Sequence, residues 1–212
     1  MKFTISLVVI NVVIFILMFF VFDPNEIVKN YGFSANSFFE GKVYTLITSL
    51  FLHADFSHII FNMIALFFLG TTIEKNVELK KYVIVYFLGG ILGNFVMLIP
   101  FLYSPEAIGI GASGAISALV GLGTFLCPGK FVIFPSILPL PFVVAGVVYF
   151  LSTAMNLFVP SQIGYPVHMI GILVGSILGL KWSDDWRKGI LIFIVTLILI
   201  ILLPFILEVI FA

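Results

Sequence analysis

A chain in which only 9% of residues are charged cannot cover a globular surface with solvated groups. A water-soluble domain devotes about a quarter of its residues to that task. Here 62% of 212 residues are hydrophobic, so the surface must face lipid. Cysteine is almost missing as well. A single Cys127 excludes an internal disulfide framework and a multi-cysteine metal site, and it reads as a small buried apolar residue. Charge of either sign gives no asymmetry: ten basic and ten acidic residues leave no basic stripe, which argues against nucleic acid as a partner. Carboxylates are absent from Ala107 to Ser183, so no Asp or Glu in that stretch can orient a catalytic base.

What is present is long apolar runs. About 20 mostly apolar residues cross a hydrocarbon core of about 30 Å, and seven candidate spans fall at about 3–22, 56–73, 80–102, 112–127, 140–158, 165–181 and 188–211. The first is too long for a secretory core and is followed by Asp23-Pro24-Asn25 instead of a small-residue cleavage site. It is expected to be a retained helix. The fourth and sixth are short and rich in Gly, Ala and Ser, which predicts helices surrounded by others. The seventh is a nearly unbroken Ile/Leu/Phe/Val run, which predicts a peripheral, lipid-facing helix. With no soluble extension at either end, function is expected to sit in the membrane part.

Residues 23–55 form the longest connection, the first outer loop. Tyr31, Phe33, Phe38, Phe39, Tyr44 and Phe51 alternate there with polar residues, as in a structured insertion lying partly in the interface. Small residues recur at four-residue spacing on two helices: Gly114 and Ala118, Ser117 and Gly121, then Gly171, Gly175 and Gly179. That spacing lets backbones approach closely in lipid and pairs the fourth helix with the sixth.

Polar groups that persist in a bilayer are candidates for function. Ser113 stands in Gly109-Ile110-Gly111-Ala112-Ser113-Gly114, where the fourth helix begins. A helix start offers free N–H groups to a developing oxyanion. His168 shares its face with Gly171 and Gly175, and a histidine facing a serine across a glycine-lined interface can activate its hydroxyl. Without a carboxylate the pair would be a dyad, its imidazole held by packing and neutral hydrogen bonds. His58 and Asn62, four apart on one face of the second helix, can both donate to an oxyanion. His53 reads as a loop-stabilising residue.

Together, His53-Ala54-Asp55-Phe56-Ser57-His58-Ile59-Ile60-Phe61-Asn62, Gly111-Ala112-Ser113-Gly114, and His168-Met169-Ile170-Gly171 with Gly175 resemble the rhomboid family over roughly residues 40–180. Gly70 and Glu74 resemble that family's turn at the inner end of the second helix. The resemblance implies an all-α, polytopic membrane helix bundle. Its six-helix core (1–186) would carry a recessed serine reached by water from outside, and 187–212 would be one additional C-terminal transmembrane helix. It implies Ser113 as nucleophile, His168 as base, and His58, Asn62 and the Ser113 N–H as oxyanion donors. Partners would be transmembrane protein substrates entering from the lipid bilayer, with no cofactor and no metal. Two positions depart from the family: Tyr44-Thr45 replaces a common Trp-Arg, and Ser117 replaces a Tyr that stacks on the base.

Two other readings are weighed. A catalytically inactive, client-binding relative would lack the serine or histidine, and this chain keeps both. A histidine-using transporter or metal protein would call for His-Glu-x-x-His or an inverted repeat, neither of which is present.

Eight of the ten basic residues (Lys2, Lys75, Lys80, Lys81, Lys130, Lys181, Arg187 and Lys188) fall on one side of the spans, against Lys29 and Lys42 on the other. The positive-inside rule then puts the N-terminus in the cytoplasm and the site on the outer side, in a multi-pass cell-membrane protein. A tag after Lys130 is expected to be cytoplasmic and one in 160–164 external. Labelling of engineered cysteines from each side checks this, and reversed accessibility contradicts it.

Overall fold

A computed structural model of the chain describes residues 1–133, 138–159 and 163–211, with side chains through residue 202. Residues 160–162 of the loop expected to be external, and Ala212 at the end of the chain, lie outside the described residues. Among the described residues the α-helices are α1 (Lys2–Phe20), α2 (Pro24–Tyr31), α3 (Ala35–Phe39), α4 (Thr45–Thr48), α5 (Phe56–Asn76), α6 (Leu79–Phe95), α7 (Ser113–Leu126), α8 (Phe142–Met155), α9 (Tyr165–Trp182) and α10 (Trp186–Phe211). Among the described residues, four segments, α1, α5, 79–98 and α9, are long and apolar enough to cross a membrane, and α7 and α8 are shorter apolar helices. The chain is a multi-pass membrane helix bundle.

α7 is its axis. All residues from Gly114 to Phe125 are buried, and α5, α6, α8 and α9 pack around them. α9 corrects one expectation: it buries a single stripe of His168, Gly171, Ile172, Gly175 and Gly179, while Leu173 and Ile177 on its other side are exposed. The stripe is the close-packing face and the remainder is free to meet lipid. Gly171 lies against the Gly114 carbonyl, Gly175 against that of Ala118 and Gly179 against that of Leu122. A Cβ at Gly179 would sit 3.2 Å from the Leu122 carbonyl oxygen, and the other two contacts are tighter still.

α6 ends earlier than the apolar run that reaches residue 102. After a 3-10 turn at Val96–Leu98, Ile99 is extended at φ −85° and ψ 107°. Pro100 explains this, because the residue before proline is pushed out of the helical region. The apolar run 140–158 shrinks to α8 for a related reason: Leu140–Pro141 (β2) pairs antiparallel with Phe131–Val132 (β1), and the helix starts only after Pro141. This short ribbon was not expected from the sequence.

Residues 23–55 are structured. Asp23 caps α2, accepting from the Asn25 N–H at 2.8 Å, and a capping box of Ser34 and Ser37 starts α3. Tyr44 and Thr45 anchor the segment: the Tyr44 hydroxyl donates to the Asn30 carbonyl at 3.2 Å, and buried Thr45 donates to the Lys42 carbonyl at 2.6 Å. At the opposite end of the bundle, Glu74 in the last turns of α5 accepts the Phe3 and Thr4 N–H groups at 3.0 and 2.9 Å, capping the positive start of α1. α10 packs on the bundle through Phe193, 5.7 Å from Phe125 and 6.0 Å from Phe150, and from Trp186 to Leu202 none of its residues is fully buried.

Candidate active site

The starts of α5, α7 and α9 meet at one end of the bundle, and each delivers one of the singled-out groups. Ser113 is the first residue of α7. The loop before it is held by two backbone partners. Phe33 and Gly109 exchange two backbone hydrogen bonds at 3.0 and 2.7 Å, and the Gly111 N–H donates to the Ser49 carbonyl at 2.9 Å. Buried Asn94 of α6 in turn donates to the Ser49 hydroxyl at 2.9 Å and the Leu46 carbonyl at 3.1 Å. Gly111 turns the chain at φ +120°, a region side chains rarely enter.

His58 is brought to this turn. A Cβ on Gly111 would lie 2.7 Å from His58 Nε2, so only glycine lets the imidazole rest on the backbone two residues before Ser113. The tautomer follows from a second contact: the Ala54 N–H donates to His58 Nδ1 at 3.3 Å, leaving the ring proton on Nε2, the atom facing the serine loop. Asp55 caps α5, accepting the His58 N–H at 2.8 Å. His53, fully buried, sets its ring edge-on to His58 at 5.0 Å, and burial depresses its pKa to about 3, so it stays neutral. Asn62 is buried one turn below His58 and donates one amide hydrogen to the His58 carbonyl at 2.9 Å, keeping its second hydrogen available.

His168 comes from the first turns of α9. Its neighbours on both sides touch α7 next to the serine: a Cβ on Gly114 would lie 3.0 Å from Val167 Cγ1, and a Cβ on Gly171 would run into the Gly114 carbonyl and lie 3.0 Å from Ser117 Cβ. The imidazole, buried, stacks on Tyr149 with ring centroids 6.4 Å apart and meets the edge of Tyr165 at 6.2 Å. Its Nδ1 lies 3.4 Å from the Tyr149 hydroxyl. Ser113 Oγ and His168 share no hydrogen bond among the described residues; catalytic pairs often tighten only around substrate. Reading the sequence did not find Tyr149. The available signal was a lone phenol in the apolar run Val147-Val148-Tyr149-Phe150, since a buried hydroxyl in lipid demands a partner.

The bundle thus gathers a helix-start serine, a buried histidine and two polar side chains of α5 at one end. The comparisons agree on the lineage. The Rhomboid domain family matches residues 40–185, and the chain belongs to the rhomboid family. It is 31% identical over 200 residues to the RHOMBOID-like protein 12, mitochondrial, of Arabidopsis thaliana, covering 87% of this chain and 58% of that protein. It is 33% identical over 113 residues to Rhomboid protease GluP of Bacillus subtilis (strain 168), covering 50% of this chain and 22% of that one. Putative rhomboid protease YdcA of the same organism is 33% identical over 87 residues, 41% of this chain and 42% of that protein. The chain thus spans less than two thirds of the length of each of these relatives.

The arrangement generates a test of the donors. Groups that meet charge only as it develops lower turnover, not substrate affinity, when lost. One such donor is worth on the order of 10²–10³ in rate. Asn62→Ala is expected to be impaired but measurable and His58→Ala with Asn62→Ala nearly inactive. If both groups serve one oxyanion, the losses should be non-additive. A double-mutant cycle on turnover, with melting followed in parallel, checks this. Losses that only track stability would make both residues structural.

Proposed function

We propose that this protein is an intramembrane serine endopeptidase that cleaves transmembrane protein substrates in or near their membrane segments, with Ser113 as nucleophile and His168 as general base. The observation that carries the reading is the contact of Val167 and Gly171, on either side of His168, with Gly114, the residue after the serine. Ser113 Oγ attacks the scissile carbonyl carbon while His168 Nε2 takes the hydroxyl proton. The oxyanion is met by His58 Nε2–H, by the free Asn62 amide hydrogen and by the Ser113 N–H, one of the unpaired donors of a helix start. Collapse expels the amine, which receives the proton from His168, and water then hydrolyses the acyl-enzyme by the same steps.

The length of α7 supports a recessed site. Fourteen residues rise about 21 Å, short of a hydrocarbon core of about 30 Å. A helix anchored at its far end, where Lys130 follows, therefore starts below the opposite surface. Peptide-bond attack also needs an extended backbone, so a substrate helix must unwind locally. On this reading residues 1–186 are the catalytic core and 187–212 an added helix, and the basic asymmetry orients the N-terminus to the cytoplasm with the site open to the outer side.

Ser113→Ala and His168→Ala are each expected to abolish cleavage of a reporter transmembrane substrate in liposomes while leaving the melting temperature near that of the parent. Parent-like cleavage by either variant would sink the mechanism.

A further inference from the structure

We infer that Asn94 of α6 is a positioning residue for the reaction: by clamping Ser49 it keeps the turn before Ser113 in register with the segment that leads to His58. The inference rests on the Ser113–His168 reading with its oxyanion donors, and it names what holds those donors in place. Ser49 is where the two segments meet. Its carbonyl accepts the Gly111 N–H at 2.9 Å and the Leu52 N–H at 3.3 Å. Gly111 lies two residues before Ser113, and Leu52 opens the stretch that runs through His53 to His58. A shift of this one peptide group is therefore passed to both segments that carry the donors.

Asn94 fixes that residue from the other side. Its Nδ2 donates to Ser49 Oγ at 2.9 Å and to the Leu46 carbonyl at 3.1 Å. A carbonyl only accepts, so the nitrogen of the amide faces Leu46, and the two hydrogens of one NH2 group serve the two bonds. The clamp stands on a stretch of α6 that is itself packed against the site. A Cβ on Gly90 would lie 2.8 Å from the methyl groups of Leu50, the residue after Ser49, and 3.3 Å from the Cβ of Ala115 on α7. One on Gly93 would lie 3.0 Å from Cγ1 of Val167, which precedes His168. The starts of α7 and α9 thus rest on the same turns of α6 from which Asn94 reaches the outer segment.

Packing alone does not call for an amide here. Asn94 is buried, and a leucine has the same branched shape, whereas a buried amide is costly unless hydrogen-bonded. The two bonds span 45 and 48 positions in sequence, so they add nothing to α6 as a helix. What they order is Leu46 and Ser49. An oxyanion donor works only when it is aimed before the charge develops, and Asn94 supplies that aim at one remove, without touching substrate.

The test uses the full chain, in liposomes for kinetics and in detergent for amide hydrogen exchange, both well below the melting temperature of every variant. Asn94→Leu keeps the shape and removes both bonds. It is expected to speed exchange of the Gly111 amide by about tenfold while amides in the middle of α7 stay protected. It should also lower kcat about tenfold with KM unchanged, less than the loss of a donor itself because the donors remain. Ser49→Ala removes one of the two bonds without altering α6 and should move both readouts the same way by less. The double variant should be no worse than Asn94→Leu, since that change already removes the shared bond. If Asn94→Leu does not fold, Ser49→Ala decides alone, and parent-like exchange and kcat there overturn the inference. So do a kcat loss in Asn94→Leu with the Gly111 amide still protected, a change in KM only, or exchange that rises equally throughout α7. Cleavage by Ser113→Ala would instead overturn the dyad, and the exchange arm separates the two failures because it does not depend on turnover.

Discussion

Two helix backbones can pass closely in lipid only where side chains do not hold them apart, and the site of this protein stands on one such crossing. No hydrophobic force drives helices together inside a bilayer, so packing of small residues carries the association. Gly171, Gly175 and Gly179 of α9 meet Gly114, Ala118 and Leu122 of α7 on successive turns. A side chain at Gly175 would run into the Ala118 carbonyl, and the two helices would separate along their length. His168 is the next member of the same stripe beyond Gly171, and Ser113 stands one residue before Gly114. The serine and the histidine are therefore neighbours because the glycines below them are glycines.

That crossing brings two groups together; the turn at Gly111 brings the third. Its left-handed backbone admits His58, and its N–H is tied to Ser49, which Asn94 holds from α6. The outer segment is part of the same construction, since Phe33 pairs with Gly109. Among the described residues, side-chain hydrogen bonds that join different helices gather at two places. One cluster is this end of the bundle. The other is the Glu74 cap on α1, which fixes how the first helix lies against α5. Between the two, α7 is buried from Gly114 to Phe125.

Much of this was legible in the sequence because the signals are local. Apolar runs marked the spans, four-residue spacing marked the α7–α9 crossing, and Ser113, His168, His58 and Asn62 stood out as polar residues near span ends. The structure brings the starts of their helices together. Helix ends were less legible: Pro100 trims α6, and the β1–β2 pairing delays α8, because backbone pairing between distant segments leaves little trace in hydropathy. The half-exposed α9 was missed for a different reason, since small residues mark the packed stripe and do not say what lies opposite it. Tyr149 was invisible in another way. Its meaning depends on Ser117, which sequence comparison showed only as a missing aromatic ring. In space, the Tyr149 ring of α8 stacks on His168 and its hydroxyl lies 2.9 Å from that of Ser117.

The account's central claim is that the hydroxyl of Ser113 is made nucleophilic by His168. Reaction with a fluorophosphonate, followed by peptide mapping, reads this most directly, since the reagent modifies an activated serine and needs no knowledge of the natural substrate. The account predicts a single adduct on Ser113 that is unaffected by a metal chelator and is lost in His168→Ala while the protein remains folded. Modification that persists at the parent rate in His168→Ala, or an adduct on another serine, would contradict it.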